Sequence, residues 1–347
     1  MTSCNSTALE FLIPSYKRPH TVIKAIESIA LQVRDLQLSD VVKITIVDDS
    51  SPNINFSEIV DFIYPFSKFI SFTQNSVNKG MSLNIRDMVS NSEADFCTIL
   101  TDDDLLQPNS LSQIFKFLNT LSHNSNNILV GSFFVPRYSY LEDKSLHCIV
   151  CNPFNKDMII KSSPLNSVKY LHNGFILTGL FFKPKLINFQ LWNDNIENSF
   201  FPIIYFADLL LRYDCIFVNQ NWFVHTVMNK CHWESWGENE KAILARLYVD
   251  YINAVTLSTQ RGLLRVSREI STLWILREEF FLYLKQMNST LSIINVANVD
   301  KSISLRLTYR LAITIFKINN KIFKPIKTYI KFCIKGDFKN QAQKINN

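Results

Sequence analysis

Between residues 10 and 121 the chain alternates short apolar runs with amphipathic segments, and several of the apolar runs stop at a cluster of polar residues. Glu10-Phe-Leu-Ile-Pro14 reads as a buried strand. Residues 21–31 read as a helix with Val22, Ile26 and Ile29 on one face and Thr21 as its cap, and residues 41–47 as a second strand, stopped by Asp48-Asp-Ser-Ser-Pro52. Residues 57–64, 80–90 and 108–121 continue as helices, with strands at 69–73 and 96–100 between them. Strand, helix, strand with short connections makes a mainly parallel, Rossmann-like sheet flanked by helices, an α/β fold. Ligands of such sheets bind at the carboxyl ends of the strands. Three polar clusters fall there: Ser15-Tyr-Lys-Arg18, Asp48-Asp49 and Asp102-Asp103-Asp104.

The last cluster carries the most chemistry. Crowded carboxylates are costly unless a cation neutralises them, and hard divalent ions take one or two carboxylates together with substrate phosphates. A solvated acidic turn is the plain alternative.

At 347 residues with 47% hydrophobic side chains, the chain can bury a sizeable core, and only 7 glycines and 11 prolines fit a compact fold with few linkers. Seven scattered cysteines, with no signal peptide at Met1-Thr-Ser-Cys-Asn-Ser-Thr, point to a reducing cytosol. Cys148-Ile-Val-Cys151 has zinc spacing but no second pair, and reads as two reduced thiols. Apolar runs such as 128–135 and 175–182 are strand-like and too short to span a bilayer. Residues 200–212 read as a helix, 215–218 as a strand, and the chain beyond Gly237 as helical, which sets a soft boundary near Glu238.

Ile13-Pro-Ser-Tyr-Lys-Arg18, Val47-Asp-Asp-Ser-Ser51, Asn78-Lys-Gly80 with Arg86, and Thr101-Asp-Asp-Asp-Leu-Leu-Gln-Pro108 occur in that order. Together they resemble the family 2 glycosyltransferases of the GT-A fold, especially bacterial enzymes of O-antigen and capsule assembly. The resemblance covers residues 8 to 225 and implies a GT-A domain at 1–237, with a nucleotide-binding half at 8–125 and an acceptor half at 126–237. It also implies a donor, a nucleotide-diphosphate sugar, held by Pro14, Ser15, Tyr16, Arg18, Asp49, Arg86 and Asp102. Asp49 is the expected acceptor of a base N–H and Asp48 a brace for its loop; Asp102 is expected on the ribose side. Asp103 is the expected direct ligand of Mg²⁺ or Mn²⁺, with Asp104 as a water-mediated partner.

An inverting transfer needs a base, and the resemblance points to Asp208 in Tyr205-Phe-Ala-Asp-Leu-Leu-Leu-Arg212. Asp194, Glu197 and Asp214 are the nearby competitors, and Arg212 at i+4 offers Asp208 an ordinary helical ion pair instead. His225, His232 and the aromatic-rich segment 231–236 are read as packed loop residues or as late additions to the metal site. The Gln-x-x-Arg-Trp signature of processive synthases is missing from the sequence, which favours single addition.

The net charge of +6 resides in the tail: residues 301–336 hold nine basic and no acidic side chains, which leaves −3 for the rest. Ile315, Ile318, Ile322, Ile326, Tyr329 and Cys333 recur at helical spacing opposite Lys317, Lys321, Lys324, Lys331 and Lys335, interrupted at Pro325. A basic amphipathic helix within a 238–347 extension suits an anionic membrane surface, or packs on the body with its lysines solvated. The expected setting is therefore peripheral, at the cytoplasmic face of the bacterial inner membrane, with a polyprenyl-diphosphate-linked oligosaccharide as acceptor. No nucleic-acid-binding module accompanies the lysines. A silent nucleotide-sugar-binding scaffold and a GT-A-like nucleotidyltransferase are the rivals; the latter expects a glycine-rich loop, which Pro14-Ser-Tyr-Lys-Arg18 is not.

Overall fold

The computed structural model describes residues 7–123, 130–140, 146–226 and 240–262. The tail at 301–336, the segment 231–236 with His232, and the side chains of His225 and Cys148 lie outside what is described.

The first half follows the alternation of the sequence. It runs β1 (Leu9–Ser15), α1 (Pro19–Asp35), β2 (Val42–Asp48), α2 (Ser57–Ile63), β3 (Ile70–Gln74), α3 (Met81–Ser90), β4 (Phe96–Ile99), β5 (Asp104–Leu106) and α4 (Ser110–His123). The second half runs β6 (Val130–Phe134), β7 (Arg137–Tyr140), β8 (Leu146–Val150), β9 (Met158–Ile160), α5 (Pro164–Tyr170), β10 (Leu180–Phe182), α6 (Phe189–Asn193), α7 (Phe201–Arg212), β11 (Asp214–Phe217), β12 (Phe223–Thr226) and α8 (Glu240–Gly262).

Eight strands form one sheet in the order β3-β2-β1-β4-β10-β6-β11-β9. The first four are mutually parallel, so β1, β2 and β4 all end at one edge. β10 is antiparallel to both β4 and β6, and β11 is parallel to β6; β4 and β11 therefore point the same way. A second sheet, β5-β12-β7-β8, stands beyond the end of β4.

Side-chain alternation along the central strand feeds two cores. Phe11 and Ile13 of β1 pack with Val22 and Ile26 of α1, Ile59 of α2 and Ile114 of α4, while Leu12 packs with Ile85 of α3, Trp192 of α6 and Phe206 of α7. Both faces of the sheet are thus buried by helices, the usual condition of parallel strands. Aromatic rings fill the join to the second sheet: Phe133 stacks on Phe181 at 4.4 Å, and Trp222 meets both rings edge-on.

Several boundaries differ from expectation. Thr21 does not cap α1; Pro19 occupies the first turn, and the Thr21 hydroxyl donates to the Arg18 carbonyl, in keeping with proline's preset φ at a helix start. The apolar run 175–182 is strand only at β10, because a 3-10 turn at Leu171–Gly174 and the loop after it take up the residues before. No helix among the described residues is long and apolar enough to cross a membrane. Beyond the boundary expected near Glu238, α8 packs against α5 and α7.

Candidate active site

The loops at the carboxyl ends of β1 and β2 are tied to each other before any ligand arrives. The Asp49 amide donates to the Ser15 carbonyl at 2.9 Å, and the Lys17 amide donates to Ser51 Oγ at 2.7 Å. Lys17 and Ser50 both sit at φ 60°, a strained backbone region for residues with side chains. Asp48, fully buried, accepts from the Ser51 amide and hydroxyl and from Gln74 Nε2, bracing the turn as the sequence suggests.

Asp49 has a different set of partners. Its Oδ1 accepts from Asn75 Nδ2 and the Lys79 amide, both at 2.9 Å, and its Oδ2 accepts from the Gly80 amide at 2.8 Å. Gly80 precedes α3 at φ 79°, which favours glycine there. An ionised carboxylate has about four lone-pair positions, so these three bonds leave one open on Oδ2. That is the capacity needed to accept from a single base N–H. Asn75, Lys79 and Gly80 were not assigned this role from sequence, although Asn78-Lys-Gly80 was visible as a motif.

At the tip of β1, the Ser15 hydroxyl is buried and has no hydrogen-bond partner among the described residues. Pro14 and Tyr16 flank it half-buried, with Lys17 Nζ 4.8 Å above the Tyr16 ring. Asp102 follows β4, also buried, with Oδ2 unpartnered among the described residues. Burial pushes its carboxyl up to about 8; the Arg18 charge pulls it down, and the neighbouring Asp103 and Asp104 charges push it further up. Arg18 bridges the pair: Nη2 lies 2.9 Å from Asp102 Oδ1, and Nη1 lies 3.5 Å from Asp103 Oδ2.

The three adjacent aspartates thus have separate surroundings. The Asp103 side chain is 23% exposed, against 3% for Asp102 and 0% for Asp104. Asp104 begins β5 and turns inward, where Oδ2 accepts from Thr101 Oγ1 at 2.8 Å and from Arg137 Nη1 at 3.0 Å. It ties the end of β4 to the second sheet. Asp104 was the expected water-mediated partner of the metal; here it is fully buried against the Arg137 guanidinium. The backbone of His225 pairs with that of Asp104 in the β12–β5 ladder.

Among the described residues no three acidic, histidine or cysteine side chains converge as a metal cage. A magnesium-like site of one or two carboxylates completed by substrate phosphates fits what is present: partly exposed Asp103 beside Asp102 with its free oxygen.

Two other expected residues are engaged in ion pairs of their own. Arg86 donates from Nε to Asn193 Oδ1 at 3.0 Å and from Nη1 to Asp87 at 2.8 Å, joining α3 to α6. Burial raises the Asp87 carboxyl, but its bonds to Lys79 and Arg86 outweigh that and leave it lowered. Asp208 is buried within α7, with Oδ2 on Arg212 at 2.5 Å and Oδ1 on Arg261 of α8 at 2.6 Å. α7 joins β11 through Tyr213 alone, and β11 runs in the direction of β4, so α7 ends at the sheet edge opposite the aspartates. Asp208, one turn from that end, is placed as a clamp between α7 and α8. Asp208 was the expected base at the reacting centre; here both of its oxygens are bound by guanidinium groups, and the helix runs away from the aspartate edge. Asp194 and Glu197 precede α7 and lie toward the near edge, where Trp192 Nε1 donates to Ser82 Oγ in the first turn of α3.

The profile of glycosyl transferase family 2 matches residues 10–181, the span that carries β1, the paired loops and the aspartate triplet. Over that span the chain belongs to glycosyl transferase family 2. The fold agrees: the crystal structure of S. aureus TarS 1–349 in complex with UDP-GlcNAc is similar at TM-score 0.54 and 13% identity, over 88% of this chain and 79% of that one. The mannosyltransferase PcManGT from Pyrobaculum calidifontis, solved with GDP-Man and Mn²⁺, is a looser match at TM-score 0.44 and 11% identity, over 93% of this chain and 83% of that one. No curated protein matches the chain by sequence. This glycosyltransferase thus carries its buried unpartnered Ser15 and Asp102 oxygens at the carboxyl edge of a GT-A sheet.

Proposed function

We propose that the protein is an inverting, metal-assisted transferase. It would move a hexosyl or deoxyhexosyl residue from a nucleoside-diphosphate sugar to a polyprenyl-diphosphate-linked oligosaccharide during O-antigen or related surface polysaccharide assembly. The observation that carries this reading is the meeting of Ser15, Asp49, Asp102 and Asp103 at one sheet edge, with acceptor positions on Asp49 and Asp102 and the Ser15 hydroxyl unused. Unsatisfied buried polar groups are costly, and a base and ribose supply the partners they lack. Nucleotide-sugar complexes of proteins with this fold agree with such a donor.

Asp103 would hold Mg²⁺ or Mn²⁺ with Asp102 beside it, and the ion would neutralise the charge of the departing diphosphate. Asp49 orients the base through its open Oδ2 position. The Lys17–Ser51 and Asp49–Ser15 bonds keep the two loops at a fixed separation, so little ordering remains to be done when the donor binds. The acceptor hydroxyl attacks the anomeric carbon from the face opposite the diphosphate and loses its proton as it does so. Glu197 is our candidate acceptor of that proton: it is exposed on the loop leading into α7 and makes no ion pair or hydrogen bond among the described residues.

The lipid-linked acceptor and membrane attachment rest on the basic amphipathic tail, which suits a substrate that stays in the bilayer. The test is transfer of radiolabelled sugar to membranes of a polysaccharide-producing bacterium. Label in the organic-solvent extract, lost with Asp103→Asn, supports the reading. Label confined to water-soluble products would exclude a lipid acceptor.

A further inference from the structure

Two arginines face the aspartate triplet, and they are held differently. Arg137 contacts Asp104 where the carboxylate is fully buried, 3.0 Å away. Asp102 and Asp103 then share one guanidinium, that of Arg18. Its hold on them is partial: one contact of 2.9 Å to Asp102, one of 3.5 Å to Asp103, and a buried Nε with no partner among the described residues. A guanidinium has five donors, so most of its capacity is unused.

The Arg18 backbone, by contrast, is fixed. Its carbonyl accepts from the Val22 amide at 3.2 Å and the Thr21 hydroxyl at 3.0 Å, and Pro19 starts the helix behind it. Movement here belongs to the side chain alone. That side chain is 25% exposed and lies 3.5 Å from Oδ2 of Asp103, the more exposed carboxylate of the pair.

We propose that Arg18 is a built-in counter-ion of the Asp102–Asp103 pair, which a divalent cation must displace from Asp103 in order to bind. The inference rests on the metal-assisted reading above. While no cation is bound, Arg18 is the positive partner of Asp103 and ties it to Asp102. Once a cation takes Asp103, the guanidinium loses a partner beside the donor loop, and the donor diphosphate is the anion available to replace it. Arg18 is thus a positioning residue that makes the site bind metal weakly alone and better together with donor.

The test is titration of the full-length protein with Mn²⁺ and no donor, with free ion followed by electron paramagnetic resonance. Removing a charged hydrogen-bonding competitor is expected to tighten Mn²⁺ binding roughly tenfold in Arg18→Gln. Arg18→Lys, which keeps the charge but contacts only one carboxylate at a time, should fall between it and the wild type. Adding Asp103→Asn to Arg18→Gln should abolish the gain. Equal or weaker Mn²⁺ binding in Arg18→Gln overturns the inference and leaves the metal reading standing. Absence of Mn²⁺ binding in every form overturns both. Should Arg18→Gln lose its fold by circular dichroism, Arg18→Lys decides, and an affinity no higher than wild type counts against the proposal.

Discussion

Replacing Asp208 by Asn separates a structural clamp from a catalytic base. In the structure each Asp208 oxygen accepts from a different arginine, at 2.5 Å from Arg212 and 2.6 Å from Arg261. Asparagine keeps one acceptor but turns an NH₂ toward the other guanidinium, so one charge-assisted bond is lost and the second is weakened. The carboxylate is 4% exposed, while the arginine side chains are 39% and 38% exposed, and water screens part of the attraction. Bonds to charged groups contribute about 1.5–3 kcal/mol when well protected and under about 1 kcal/mol at the surface, so the pair together is worth about 1–3 kcal/mol. For a body of this size that corresponds to a fall of roughly 3–10 °C in Tm. Urea unfolding of Asp208→Asn, Arg261→Gln and the double variant should show a coupling between the two positions, because they share one contact. Turnover at a temperature where all variants are folded should change by less than about threefold. The clamp assignment is wrong if Asp208→Asn unfolds like the wild type but loses turnover by about a hundredfold or more while still binding donor, the signature of a missing base.

Glu197→Gln should do the reverse, leaving Tm within about 1 °C and lowering turnover by about a hundredfold or more at unchanged donor affinity; equal turnover would move the base elsewhere. Asp49→Asn should weaken nucleoside diphosphate binding by about tenfold, measured calorimetrically, because an amide cannot accept from Lys79, Gly80 and the base as a carboxylate does. The raised carboxyl of Asp102 has a definite pH sign. Its folded value of about 8 exceeds the reference 3.8, so the folded state binds the extra proton between them. Its contribution to stability is therefore greatest at low pH and declines as pH rises from about 4 to 8. Unfolding midpoints at pH 5 and pH 7.5 should differ less in Asp102→Asn than in the wild type, and an unchanged difference would show that Asp102 does not hold that proton.

The first half of the fold was legible because each of its elements has a clean period: β1 and β2 are short apolar runs, and α1 repeats Val22, Ile26 and Ile29 at helical spacing. The second sheet was not. β5 has three residues, and β7 is Arg-Tyr-Ser-Tyr, a polar sequence whose strand character comes from pairing with β8 and β12 rather than from its own pattern. The same limit applies to the aspartates. Adjacency in sequence cannot say which carboxylate faces solvent, since successive residues point to opposite sides and Arg137, the partner that draws Asp104 inward, is 33 positions away. For Asp208 the Arg212 pairing was readable at i+4, whereas Arg261, 53 positions on, was not.

Release of nucleoside diphosphate from a panel of uridine-, guanosine-, thymidine- and cytidine-diphosphate sugars, with Mg²⁺ or Mn²⁺ present, bears on the central claim most directly. Release from at least one donor, abolished by Asp103→Asn and reduced by Asp49→Asn, is the expected result. Release that is indifferent to both substitutions, or none from any donor even with lipid-linked acceptor added, would contradict a donor site at the carboxyl edge of this sheet.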